Sequence, residues 1–251
     1  MEKLTSRKNP VCVHLRKLGK SKSYREEFGE FLCDGEKLLL EAVTGKACVD
    51  TIVSHFKSFD HQLPLFTNVY LADADLIDSI SPLKSPGSLV FSCKIPEAVE
   101  FSWNPGTYIL LDNIQDPGNV GTIIRSALAF QISGILLTGN PADIYNPKTV
   151  RASAGAIFKQ PVYYLDHAKL IELKKSGVRF IGASSGRDSA GIKNTDLNNS
   201  IIVMGNEGYG ISENLVELCD DMFNIPLHYK SESLNVAVAA SIIMWETRNR
   251  A

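Results

Sequence analysis

Apolar positions along this chain follow two rhythms. Tyr108–Leu111, Gly134–Leu137, Val162–Leu165, Val178–Ala183 and Ile201–Met204 are apolar at nearly every step, as expected of strands buried on both faces. Between and after them, Val120–Phe130, Ala168–Lys175, Glu213–Cys219 and Leu234–Arg248 place apolar residues three and four apart, the spacing of one helical face. Strands alternating with helices predict a parallel sheet covered on both sides. The first 95 residues or so repeat the theme on a smaller scale. Glu30–Asp34 is a short apolar run ending at Gly35, and Glu36–Ala42 is helical, with Leu38, Leu39 and Ala42 on one face. Val49–Val53, Val69–Ala72 and Ser88–Cys93 read as strands, and Leu76–Ile80 as a helical turn. This predicts a small α/β domain closing near Pro96. Glu97–Gly106, with its Pro105-Gly106 pair, is the linker candidate, so the expected division is 1–98 and 106–251.

Composition sets outer limits. With 251 residues, 44% hydrophobic and 22% charged, the chain has the profile of a globular protein large enough for two modest cores. No apolar run reaches the ~18 residues of a membrane span, and the basic N-terminus lacks the apolar centre of a secretory signal. Cys12, Cys33, Cys48, Cys93 and Cys219 are scattered, and neither they nor the five histidines fall at metal-binding spacings. These features predict a cytoplasmic protein with reduced thiols and no metal. Net charge is −2, so any affinity for nucleic acid must come from a local patch. The one candidate is the stretch Met1–Arg25, in which Lys3, Arg7, Lys8, Arg16, Lys17, Lys20, Lys22 and Arg25 face the single acid Glu2. It reads equally as a solvated, partly helical tail.

Candidate chemistry gathers in three loops, each following an apolar strand, which is where open α/β sheets hold ligands. In Leu111-Asp-Asn-Ile-Gln-Asp-Pro-Gly-Asn-Val-Gly-Thr-Ile-Ile-Arg125, Gly118 and Gly121 permit close backbone approach and Asn119 is placed to cap the next helix. Arg125 sits among apolar residues, where an arginine ordinarily meets a carboxylate or phosphate. In Ile201-Ile-Val-Met-Gly-Asn-Glu-Gly-Tyr-Gly210, Glu207 occupies a glycine-flanked turn. Its G-x-x-G-x-G spacing is not the dinucleotide fingerprint G-x-G-x-x-G, which makes a nicotinamide enzyme a poor fit. In the third loop, Phe223 to Ala240, Ser233 or Asn235 can cap the final helix, or present polar side chains to a ligand. Each loop alone also has a purely structural reading.

Together, in this order and placement, the three loops resemble the motifs of the SpoU (TrmH-like) branch of the SPOUT RNA methyltransferases. The resemblance spans about Tyr108–Arg248. Arg151-Ala-Ser-Ala-Gly-Ala156 is similar to another stretch of that family, and Ser6–Ala42 to the small RNA-binding domain of ribosomal-protein type that often precedes its catalytic domain. The resemblance implies an α/β catalytic domain with a deep trefoil knot, an exception to the rule that chains do not knot. It implies S-adenosyl-L-methionine as methyl donor, held by Gly205, Asn206, Glu207, Gly208, Ile225, Leu227 and Leu234. It implies catalytic-site roles for Asn119, Arg125, Glu207, Ser233 and Asn235, and a homodimer with the site at its interface.

The implied reaction is methylation of a ribose 2′-hydroxyl in structured RNA, with ribosomal RNA favoured over transfer RNA and guanosine a candidate nucleotide. DNA and membranes are not implied. Arg7, Lys8, Arg16, Lys22 and Arg25 are the expected RNA contacts. A guanidinium stays protonated well above neutral pH, so Arg125 is expected to position phosphate and stabilise alkoxide charge, with a proton-relay role only under strong perturbation. Two departures from the pattern stand out: Asp34-Gly35 where relatives have Glu-Gly, and His228-Tyr-Lys-Ser231 where they have a small glycine-containing turn. Two other readings remain at this point, methylation of a base nitrogen and a non-catalytic RNA-binding factor of the same fold.

Overall fold

The computed structural model describes residues 1–56, 59, 63–83, 87–184, 189–230 and 233–250. Its elements run β1 (Glu2–Lys3), α1 (Pro10–Lys20), α2 (Lys22–Phe28), β2 (Glu30–Asp34), α3 (Glu36–Thr44), β3 (Val49–Ser54), β4 (Asn68–Leu71), α4 (Ala74–Asp78) and β5 (Leu89–Lys94). They continue with β6 (Tyr108–Asp112), α5 (Pro117–Ala129), β7 (Gly134–Thr138), α6 (Pro147–Ala152), β8 (Val162–Tyr164), α7 (His167–Lys175), β9 (Arg179–Ser184), β10 (Ala190–Gly191), β11 (Ser200–Met204), α8 (Glu213–Val216), β12 (Asp221–Asn224) and α9 (Val236–Arg250). The chain divides into two compact units. One comprises Met1–Glu97 with Asp143–Lys159, the other Ala98–Ala142 with Gln160–Ala251.

In the first unit a five-stranded sheet has the order β1-β4-β3-β5-β2. β2 and β3 run antiparallel to β5, and β4 runs parallel to β1 and β3. Strand alternation splits its core in two. Leu32, Val53 and Val90 join Leu15 and Leu18 of α1, whereas Phe31, Cys33, Ile52 and Phe91 join Leu39 of α3 and Val150 of α6. Helix α1 is therefore a core element. Asn9 caps it, its side chain accepting from Val11 N at 2.9 Å, and Pro10 follows at the first helical position.

This corrects one expected RNA contact. Arg25 is only 3% exposed. It donates Nε and Nη2 to Asp143 Oδ2 at 3.0 and 2.5 Å and Nη1 to Leu18 O at 2.6 Å. A buried guanidinium needs such partners, and at 3% exposure it is not open to a phosphate from solvent. Arg16 is half-buried and donates to the carbonyls of Ser79 (2.9 Å) and Arg7 (3.3 Å). Arg7, Lys8 and Lys22 are exposed. The Arg25–Asp143 pair also ties down a segment expected to lie in the second domain, Asp143–Lys159.

In the second unit a seven-stranded sheet has the order β10-β12-β9-β11-β6-β7-β8, every pairing parallel. Leu110, Leu136, Phe180, Ile201 and Val203 share one core cluster with Leu170 and Leu173 of α7. Helices α5 and α9 pack together, joined by a Ser126–Ser241 hydrogen bond of 2.8 Å. Among the described residues no helix is long and apolar enough to cross a membrane.

Candidate active site

Because β6, β11 and β12 are parallel, their carboxyl ends point the same way, and the loops that follow them leave one edge of the sheet. β11 lies against β6, and β12 is one strand further off beyond β9. Two polar groups, Asp112 buried and Asn113 half-buried, lock the first two loops together. Asp112, at the end of β6 and 3% exposed, accepts from Ser212 N at 2.7 Å and from Asn113 Nδ2 at 2.8 Å. Asn113, in the left-handed region at φ 54, accepts at its carbonyl from Asn206 Nδ2 at 2.9 Å.

The second loop is a tight hairpin. Asn206 and Gly210 exchange both backbone hydrogen bonds at 2.9 Å, and Asn206 Oδ1 accepts from Gly208 N at 2.8 Å. A Cβ on Gly205 would lie 2.0 Å from the Gly210 carbonyl carbon, so only glycine allows the hairpin to fold back against the strand end.

Asn119, Glu207 and Asn235, one from each loop, are joined directly. Asn235 Nδ2 donates to Asn119 Oδ1 at 3.0 Å, and Asn119 Nδ2 donates to Glu207 Oε1 at 2.5 Å. The side chain of Asn235 also caps α9, accepting from Ala237 N at 3.0 Å and Val238 N at 3.3 Å. The capping role read from the sequence is thus present, and the same side chain also reaches Asn119. Asn119 is not the cap of α5. Asp116 is, accepting from Asn119 N at 2.9 Å with Pro117 next, and this frees the Asn119 amide to bridge the other two loops. The chain of amides ends on a carboxylate, so each bond polarises the next.

Beside this network opens a cavity of about 910 Å³ lined by Gly205, Asn206, Glu207, Gly208, Ile225, Leu227, Ser233, Leu234 and Asn235. Every residue expected to hold the methyl donor lines it. Arg125 does not. It is exposed on α5, six residues from Asn119, about 9 Å along the helix axis, and makes no hydrogen bond or ion pair among the described residues. The burial inferred for it from its apolar neighbours is corrected: Ile123, Ile124 and Ala127 face the core, and Arg125 does not share their side of the helix. No cluster of His, Cys, Asp or Glu among the described residues could hold a metal ion.

The SpoU rRNA Methylase family profile matches residues 106–245. The chain belongs to this family. It is 30% identical over 250 residues to the 23S rRNA (guanosine(2553)-2′-O)-methyltransferase RlmP of Bacillus subtilis, covering 99% of this chain and 100% of that protein. It is 32% identical over 145 residues to a 23S rRNA (uridine(2479)-2′-O)-methyltransferase of Streptomyces viridochromogenes, covering 55% of this chain and 50% of that one. The crystal structure of AdoMet-bound rRNA methyltransferase from Sinorhizobium meliloti superposes with a TM-score of 0.87 at 26% identity, covering 99% of this chain and 98% of that one. Sequence reasoning missed part of this SpoU-family cavity, namely Ser184 at the end of β9 and Asn224 at the end of β12. Applying the carboxyl-end rule to the strand Val178–Ala183 would have pointed to Ser184.

Proposed function

We propose that this protein transfers the methyl group of S-adenosyl-L-methionine to a ribose 2′-hydroxyl in ribosomal RNA. The observation that carries this reading is the Asn235–Asn119–Glu207 chain of hydrogen bonds at the cavity, in a chain aligned end to end with a 23S rRNA 2′-O-methyltransferase. The cavity fits the donor. Its volume falls in the range of about 300–1,000 Å³ typical of cofactor sites. Leu227, Leu234 and Ile243 give it apolar walls, while the Gly205–Gly210 hairpin and Asn224 bring polar groups. Gly205, Asn206, Glu207, Gly208, Ile225, Leu227 and Leu234 hold the donor, which when bound supplies an electrophilic sulfonium methyl group.

The protein's task is then alignment and charge. Asn119, fixed at both ends of its amide, and Asn235 and Ser233 beside it, set the position of the ribose. Glu207 anchors that network with its carboxylate. Arg125, exposed on α5, meets an RNA phosphate with its guanidinium and steadies charge developing on the 2′-oxygen. One relative acts on a guanosine and another on a uridine, so the shared loops recognise the sugar, and the base is selected by parts that differ.

Three further elements complete the reading. The first unit holds RNA through its exposed Arg7, Lys8 and Lys22, as a domain of ribosomal-protein type. The C-terminal segment is threaded as a trefoil knot, supported by the order β12-β9-β11-β6 with α9 returning to α5. The molecule is a homodimer, supported by Val238, Ile242 and Trp245, which form an exposed apolar stripe along α9. The test is methyl transfer from labelled S-adenosyl-methionine to unmethylated 23S rRNA, followed by nuclease digestion and mass spectrometry. A 2′-O-methylnucleoside is expected. A base-methylated product, or retention of the donor with no transfer, would overturn the proposal.

A further inference from the structure

The cavity has two aromatic residues at its lips that the reaction does not use. Tyr209, at the tip of the Asn206–Gly210 hairpin, is 96% exposed, and Tyr229, in the loop after β12, is 68% exposed. Both line the same cavity. Two large aromatic side chains this exposed at one opening offer apolar area that a ligand can cover. The backbone that carries Tyr209 and the ring of Tyr229 are both held in place. The paired backbone of Asn206 and Gly210 fixes the hairpin that presents Tyr209. The Tyr229 ring rests on His228, centroids 4.4 Å apart, with Lys230 Nζ 5.7 Å from the ring centre. A backbone and a ring so restrained lose little freedom on meeting a ligand.

We infer that Tyr209 and Tyr229 stack on unpaired bases of the RNA that flank the methylated nucleotide, an inference that rests on the proposed function. Aromatic faces beside a cation are what single-stranded RNA uses for docking. The Glu207 carboxylate next to Tyr209 disfavours a phosphate at that lip, so the flat face of a base is the group received there. Lys230, beside Tyr229, meets the backbone charge. His228-Tyr-Lys stands where the family pattern implies a small glycine-containing turn, so the ring at this lip lies outside the shared motifs and is suited to selecting the RNA context.

The test uses the full chain and an unmethylated 23S rRNA transcript, with Tyr209→Ala, Tyr229→Ala and the two Tyr→Phe variants. Each alanine variant is expected to weaken transcript binding by about tenfold, the size of one lost base–aromatic stack, with the loss falling on KM for RNA. Phenylalanine keeps the stack and should restore wild-type affinity. The dissociation constant of S-adenosyl-methionine should move less than twofold. Unchanged RNA binding in both alanine variants overturns the inference. So does a parallel loss of donor affinity, which would make the tyrosines walls of the donor site, and so does failure of the wild type to bind the transcript. If the wild type binds the transcript but transfers no methyl group, the proposed function fails while the binding comparison still decides the stack.

Discussion

At Asn119 both ends of one amide are engaged, the oxygen by Asn235 and the nitrogen by Glu207. Removing that amide frees two loops from each other without touching the walls of the cavity. Asn119→Ala is therefore expected to lower single-turnover methyl transfer by about a hundredfold, as misplacement of a positioning group does, with donor affinity changed only a few-fold by equilibrium dialysis. A second residue carries a pH signature. Burial alone would raise the pKa of Asp220, but the Lys174 ammonium and the Phe180 N–H, which it accepts at 2.9 Å, outweigh that and hold it below the usual carboxylate range. A depressed folded pKa gives stability that is present above the unfolded value and lost as pH falls through the folded one. Asp220→Asn should thus destabilise at neutral pH by about 1 kcal/mol, a figure kept small because the pair is partly solvent-screened. The gap from wild type in urea melts should close as pH drops below the carboxylate range; a gap constant from neutral pH to strongly acid solution would refute the assignment.

Among the elements, legibility followed how much each one depends on neighbours distant in sequence. The buried parallel strands announce themselves as apolar runs, and β6, β7, β9 and β11 lie within a residue of where periodicity puts them. Helices α1 and α2 were half hidden. Their lysines dominate the composition, yet Cys12, Leu15 and Leu18 recur three apart and all are buried. Helix α6 was illegible, since Pro147-Lys-Thr-Val-Arg-Ala152 has too few apolar residues to show a period. What places it is Arg25, 118 residues from Asp143 in sequence, and no local pattern encodes such a pair. The same distance hid the role of Asn119: Asp-Pro-Gly-Asn offers two capping side chains, and only Glu207 and Asn235 decide which one is free. Removing Asp143 would leave a cation buried and unpaired, a loss of about 3–5 kcal/mol. Asp143→Ala should lower stability by that amount in urea denaturation and expose Asp143–Lys159 to rapid amide exchange. The double variant Arg25→Met, Asp143→Leu should recover most of it, because apolar replacement of a whole pair is close to neutral. A double variant as unstable as the single one would show that the ion pair itself, not the orphaned charge, sets the energetics.

At the scale of the whole molecule, two exposed features bear on assembly. Trp245 is 54% exposed on α9, in line with Val238 and Ile242, and Arg125 stands open on α5 with Leu128 one turn along. The proposed homodimer would cover the stripe, and it would allow Arg125 to serve a site other than its own. If the stripe is the contact, Trp245→Glu places a charge where a buried aromatic anchor should be. Loss of such an anchor is worth at least ~2 kcal/mol, which is about thirtyfold in the dimer dissociation constant. Sedimentation velocity at micromolar protein should then show wild-type dimers and mutant monomers, and monomers for both would remove the premise. Whether Arg125 acts across the contact is a separate question that mixing answers. Arg125→Ala and Asn119→Ala are each expected to lose about a hundredfold in activity alone. In random heterodimers acting across a two-fold interface, one of the two sites receives both intact residues and the other receives neither, so co-expression should restore about a quarter of wild-type activity. If Arg125 instead serves the site of its own chain, every site in the mixture lacks one residue and no activity returns, so the two arrangements cannot give the same result.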